Sequence, residues 1–300
     1  MARGRCATAR APLKRRSSGL RVTSPYDSSL SDRAFFALGE LADAARRAGE
    51  IAMRDFRYGQ PSRVPVHIKP GGSPVSDADL AIDRYLSERL RATFPDAGWI
   101  SEETPDEPAR LSWASAVIVD PIDGTRAFLA GDPRWTVSIA LVHDGRPIAG
   151  VLHAPALDET YAAALGHGAR RDGVQLRASA RKELDGALIG GPMAMIGALA
   201  KTAGVEFVAV PRIPSLALRF ARVASGAPDI AIGTPGAHDW DVAAADAILR
   251  EAGGRLVDSG GRPLRYNEAM TSRGALLASG AGLVSALAAV AGRAFGERAG

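Results

Sequence analysis

The sequence predicts a mixed α/β fold forming one compact body, and three observations carry that prediction. Two amphipathic helical patterns open the chain before residue 95. A series of strand-like runs follows, two of them separated by Asp144 and Gly145. From about Ala187, strands alternate with helices. At 300 residues, 46% hydrophobic and 23% charged, the chain can bury a sizeable core, which excludes fibrous and disordered classes.

Ser31 precedes a run in which Phe35, Leu38, Ala42, Ala45, Ile51 or Ala52, and Phe56 recur at three- and four-residue steps, the pattern of an amphipathic helix. Between Tyr58 and Pro74 four prolines and three glycines exclude a helix and predict a mobile loop, with Lys69 inside it. A second helix is predicted from Ser76 to Pro95, with Asp79 in its first turn and Leu80, Leu86, Leu90 and Phe94 on its apolar side. The β-branched run Ala116 to Asp120 reads as a buried strand. Trp135 to His143 and Pro147 to Leu152 read as a hairpin, because Asp-Gly supplies the positive φ angles of a primed turn. Further strands are expected at Glu159 to Ala163, Val205 to Val210, Asp229 to Gly233 and Ala275 to Ser279. Helices are expected at Ser215 to Ser225, Asp241 to Ala252 and Leu283 to Ala291. Gly274 to Gly292 carries no charge, but its Ala, Gly and Ser content reads as core rather than membrane span.

Charge is unevenly placed. Seven of the 37 basic residues lie in 1–26, where there is no acidic residue, so 27–300 carry 30 basic against 33 acidic side chains. Residues 1–30 are expected as a basic, disordered tail, although an organelle transit peptide has a similar composition, and an overlong start would also account for it. The mildly acidic remainder is not expected to bind nucleic acid. Cys6 is the only cysteine, so no disulfide within the chain can form and a reducing, cytoplasmic setting is expected.

The chemistry concentrates in carboxylates. Asp120, Pro121, Ile122, Asp123, Gly124 and Thr125 place two acids three residues apart where a buried strand ends and a helix is about to start. Hard oxygen donors of this kind suit magnesium, and the amides of a helix start suit a phosphate oxygen. An Asx-turn leading into an ordinary loop is the rival reading. Glu102 and Glu103 follow the apolar pair Trp99 and Ile100, and taken alone they would be surface charge. Asp241 at a helix start and Asp79 in a Ser-x-x-acid pattern could equally be helix caps.

Taken in order, Glu102 with Glu103, Asp120 to Thr125, and Trp240 with Asp241 resemble the inositol monophosphatase family, which includes the 3′(2′),5′-bisphosphate nucleotidases. The likeness extends from about Phe35 to Ser279 and takes in Glu251, Ala252, Gly253 and Gly254; Ser101 departs from the family, which usually has glycine there. The resemblance implies a layered α/β/α/β/α sandwich, with an antiparallel sheet domain over 31–180 and an α/β domain over 181–300 that supplies Asp241. It also implies two or three magnesium ions. Glu102, Asp120 and the Ile122 carbonyl would hold one, and Asp120, Asp123 and Asp241 another. Gly124 and Thr125 would bind phosphate, Thr125 with Asp79 would orient or deprotonate the attacking water, Glu103 would assist catalysis from behind the metal ligands, and Lys69, at the place of the family's loop lysine, would contact the phosphate or substrate. Lithium sensitivity and a homodimer are expectations of the same kind.

The substrate implied is a small phosphate monoester. Arg126 sits at a helix start where the macrodipole disfavours a cation, so an anionic group of substrate is expected against it, or else a surface pairing with Glu103 or Asp132. Arg212, Ser215 and Arg219 fall where the family places substrate contacts. Adenosine 3′,5′-bisphosphate is the first expectation and inositol-1-phosphate the alternative. A reading of another class is a non-catalytic scaffold that binds nucleic acid through the basic tail.

Overall fold

In the computed structural model, Met1 and residues 28–295 are described. The tail read over residues 1–30 lies outside them except at its edges, and the first helix starts at Ser28 rather than after Ser31. Helix α1 (Ser28–Ala52) and helix α2 (Asp77–Thr93) are joined by a segment carrying a small antiparallel hairpin, β1 (Val66–Ile68) with β2 (Pro74–Ser76). That segment is therefore more than the loop its proline content predicts. Lys69 starts the turn: its amide donates to the Ser73 carbonyl, and Gly72 donates back to its carbonyl, each at 2.9 Å.

A seven-stranded sheet follows in simple sequence order: β3 (Ala97–Ser101), β4 (Ser115–Asp123), β5 (Thr136–His143), β6 (Arg146–Ala154), β7 (Glu159–Ala164), β8 (Gly168–Arg171) and β9 (Val174–Gln175). Only β3 and β4 pair in parallel; helix α3 (Thr125–Ala130) sits between β4 and β5. The predicted primed turn joins β5 and β6, with φ of 48° at Asp144 and 74° at Gly145. The second half alternates as expected: β10 (Leu188–Gly190), α4 (Met193–Ala203), β11 (Val208–Ala209), α5 (Leu216–Val223), β12 (Ile230–Gly233), α6 (Asp239–Glu251), β13 (Gly254–Asp258), β14 (Leu276–Gly280) and α7 (Val284–Ala294). Its five strands order as β11, β10, β12, β14, β13.

Alternation along β4 shows how the layers stack. Ala116 and Ile118 face one core together with α5 and α6, whereas Val117 and Val119 face another together with α1 and α2. A third core lies between the five-stranded sheet and the pair α4 and α7. The order across the molecule is helices, sheet, helices, sheet, helices, the five-layer sandwich that the resemblance implied.

The buried stripe of α1 is out of phase with the predicted one. Ala34, Ala37, Leu41, Ala44, Ala45, Ala48 and Ala52 are buried, whereas Phe35 is 59% exposed and stacks on His167 at 4.7 Å. Close approach explains this: a Cβ added at Gly49 would lie 2.6 Å from the His153 ring, so the helix face against β6 has room only for small side chains. In α2 the buried stripe is Ile82, Leu86 and Leu90, and Leu80 is exposed, contrary to expectation. Among the described residues no helix is long and apolar enough to cross a membrane.

Candidate active site

A cleft of about 530 Å³ opens where β4 ends, and it collects most of the residues singled out in the sequence. Glu102, Asp120, Ile122, Asp123, Gly124, Thr125, Arg126 and Asp241 all line it. Asp120 and Asp123 come from the end of β4 and Asp241 from the first turn of α6. One carboxylate oxygen from each of these three lies within 4.8 Å of the others.

Burial sets the electrostatics. Desolvation raises all three aspartates: Asp120 well above its ordinary range, Asp123 to about 6 and Asp241 to about 8. Asp123 rises least because the Ser215 hydroxyl and the amides of Leu216 and Ala217 donate to it. Among the described residues Asp120 receives one bond, from the Ile122 amide at 3.0 Å, and its buried Oδ2 has no hydrogen-bond partner. A buried carboxylate oxygen without a donor, aimed among two more carboxylates, fits a hard divalent cation. Oxygen donors alone suit magnesium better than softer metals.

The capping reading holds for both Asp79 and Asp241. Asp79 accepts from the Ser76 amide at 2.8 Å and closes the capping box of α2. On its other oxygen it accepts from Thr125 Oγ1 at 3.3 Å, at the edge of the cleft. Burial raises Asp79 to about 6. Asp241 likewise accepts from the His238 amide as the third residue of α6, and still lines the cleft. A first-turn aspartate can cap with one oxygen and present the other.

Lys69 reaches from its turn to Glu102 at 2.9 Å and Glu103 at 2.8 Å. Burial alone would lower the Lys69 pKa, but the two carboxylates outweigh it and the net shift is upward. Glu103 is the more buried acid, and desolvation raises it to about 7 despite the lysine. Gly124 caps α3 with φ of 95°, a left-handed conformation that glycine alone adopts without strain.

Two expectations need correcting. Ser215 is fully buried behind the cleft wall, where it caps α5 and donates to Asp123. Arg219 is 5% exposed and turned inward, bonding the carbonyls of Ile213 and Ile232. Neither is placed as a substrate contact; both brace the segment that carries Arg212, which does line the cleft. Sequence reasoning also missed Asp83, which accepts from the hydroxyls of Ser101 and Thr104 on either side of Glu102 and Glu103. One turn beyond Asp79, Asp83 reads as a solvated helix charge. Its role follows from β3 packing beside α2, and it accounts for a serine at position 101.

The match to known proteins follows this geometry. The sequence profile of the inositol monophosphatase family matches residues 38–293. This chain belongs to the inositol monophosphatase family. As a member it is a phosphoric monoester hydrolase. It is similar to the 3′(2′),5′-bisphosphate nucleotidase CysQ of Aggregatibacter actinomycetemcomitans, 34% identical over 243 residues, 77% of this chain and 87% of that protein. An inositol-1-monophosphatase of Mesorhizobium japonicum is 36% identical over 235 residues, covering 75% and 86%. Among solved structures, the extragenic suppressor protein SuhB of Bartonella henselae superposes with a TM-score of 0.73 at 29% identity, over 85% of this chain and 98% of that one. The inositol monophosphatase family is metal-dependent, in keeping with the three converging aspartates.

Proposed function

We propose that the protein is a magnesium-dependent 3′(2′),5′-bisphosphate nucleotidase that converts adenosine 3′,5′-bisphosphate to AMP and phosphate. One observation carries the choice of substrate: Arg126 and Arg212 line the cleft beside the carboxylates, and neither guanidinium has a carboxylate partner among the described residues. Two unneutralised arginines in a cleft of this size suit a substrate with a second phosphate, which the planar fork can grip. An uncharged inositol ring offers them nothing comparable.

Asp120, Asp123 and Asp241, with Glu102 and the Ile122 carbonyl, would hold the magnesium ions. Bound there, magnesium supplies Lewis acidity at the scissile phosphate and a lowered pKa for the attacking water. The protein's own part is to hold these donors still. Ser215 and the first amides of α5 fix Asp123, Lys69 ties Glu102 to Glu103, and Asp83 braces the strand end through Ser101. The Thr125 hydroxyl bridges the Ile122 carbonyl at 3.1 Å and Asp79 at 3.3 Å, so a proton from water can pass toward a carboxylate whose pKa of about 6 matches a general base near neutrality. The amides of Gly124 and Thr125 would bind the phosphate oxygens.

Phosphate release from adenosine 3′,5′-bisphosphate and from inositol-1-phosphate, with and without magnesium, tests the reading in wild type and Asp123→Asn. Magnesium-dependent release favouring the bisphosphate, lost in Asp123→Asn, is expected. A preference for inositol-1-phosphate would overturn the substrate; this second reading is favoured by the 36% identity to an inositol-1-monophosphatase.

A further inference from the structure

At the opposite end of α6 lies a cavity of about 710 Å³ whose charge is the reverse of the cleft's. Asp241 stands in the first turn of α6 and Arg250 in the last, so the two openings are separated by ~14 Å along one helix. Four arginines reach the cavity wall: Arg146 at the β5–β6 turn, Arg250 on α6, Arg255 on β13 and Arg265 beyond it. The carboxylates in the wall are Asp144 and Glu251.

Two of the four arginines, Arg146 and Arg255, have no carboxylate at ion-pair distance among the described residues. Arg250 is committed to buried Asp246, with Nε donating at 2.7 Å. Arg265 stands 3.6 Å from Glu268, a solvated pair of little strength. Arg255 donates to the Gly254 carbonyl at 2.7 Å, and the Arg146 side chain has no hydrogen-bond or carboxylate partner among the described residues. On the acidic side, Glu251 already accepts from the Gly166 and Gly168 amides at 3.2 and 2.9 Å, and the Asp144 side chain is 76% exposed.

The shape adds to the charge. The Arg265 guanidinium lies close over the turn, 3.0 Å from where a Cβ at Gly145 would stand, and Gly145 holds φ of 74° there. Leu30, Pro147, Ile148, Leu165 and Ala247 make an apolar part of the wall, and His143 completes it beside Asp144. Guanidinium forks match phosphate oxygens, and an apolar wall of this extent matches a ring.

We propose that this cavity is a second, metal-independent binding site for a phosphorylated ligand that carries an apolar or aromatic ring, the chemistry of a nucleoside diphosphate. It is distinct from the cleft, whose carboxylates repel a phosphate unless cations intervene.

The experiment is titration calorimetry of the full chain in EDTA, with adenosine 5′-diphosphate and with inorganic pyrophosphate as probes. Chelation silences the cleft and leaves the cavity open. Saturable binding is expected, tighter for the diphosphate with the ring, weakened at least tenfold by Arg146→Glu and by Arg255→Ala, with magnesium-dependent phosphatase turnover unchanged in both variants. Both side chains are exposed, so folded variants are expected, and a thermal melt checks this. Absence of binding in EDTA would overturn the proposal. So would binding that survives both substitutions, which would belong to the basic residues of 1–26. Equal affinity for the two probes would overturn the ring-binding part.

Discussion

Helix α6 carries a partly buried aspartate in its first turn and a fully buried one past its middle, and the two sites solve the same electrostatic problem in opposite ways. Asp246 is fully buried, but Arg250 donates to one oxygen at 2.7 Å and Tyr266 to the other at 3.0 Å. Asp241, one turn and a half earlier, faces Asp120 and Asp123, with no arginine or lysine bonded to any of the three among the described residues. Burial raises the pKa of both Asp241 and Asp246, yet only at Asp246 do neighbouring groups oppose it with an opposite charge. A buried carboxylate with its own cation is part of the structure. Buried carboxylates that have only one another are held ready for a cation from outside.

The sharpest test separates the two in activity and stability. Asp120→Asn keeps the acceptor for the Ile122 amide, removes one buried charge and gives the orphaned position a donor. Steady-state assays with magnesium should show turnover reduced on the order of 10³-fold, since a metal contributes several kcal/mol to the transition state. The melting temperature of the same variant in EDTA should rise by a few degrees. A lowered melting temperature would sink the view of an uncompensated cluster.

Asp246→Ala should do the reverse. It strands Arg250 and the buried Tyr266 hydroxyl, and urea unfolding should show a loss of about 3 kcal/mol, the low end for a broken buried pair because Arg250 still reaches water. Turnover per folded molecule should stay within about twofold.

The comparison also fixes a pH dependence. Asp123 at about 6 and Asp241 at about 8 lie above their ordinary value of 3.8, so between these limits the folded chain binds more protons than the unfolded one. Stability of the metal-free protein should therefore fall as pH rises from about 4 to 8. Scanning calorimetry in EDTA across that range checks the sign, and saturating magnesium at pH 8 should restore the loss.

Ser215→Ala removes the cap of α5 and one donor to Asp123, and chemical denaturation should show a loss of about 1–2 kcal/mol. A rise in the magnesium concentration needed for half-maximal rate should accompany it; an unchanged metal requirement would mean that Ser215 serves the helix alone. The smallest effect belongs to Arg126→Ala, where the ratio of kcat/KM between adenosine 3′,5′-bisphosphate and inositol-1-phosphate should fall about two- to fivefold, the scale of one exposed charge pair. A constant ratio would remove Arg126 from substrate choice.

Much of this was legible in the chain. Element order, the Asp144–Gly145 turn and the carboxylates at the end of β4 follow from hydrophobic period, turn chemistry and the placement of acids after an apolar run, all of which are local. Burial phase was not. Phe35 reads as core by hydrophobicity, but the close approach of α1 to β6 at Gly49 gave its stripe to alanines, a property of two elements and not of one.

The same divide runs through the site. Sequence alone determined which acids are present and that Asp79 and Asp241 stand in first turns, where a cap is the local explanation. Only the tertiary structure decided that Asp241 also lines the cleft and that Asp79 bonds Thr125 at its edge, that Ser215 and Arg219 brace it from behind, and that Asp83 supports Ser101 and Thr104. The physical reason is that a carboxylate's role depends on which charge stands within a few ångströms of it in a low-dielectric setting. That neighbour comes from a distant part of the chain, as Ser215 does for Asp123 across 92 residues.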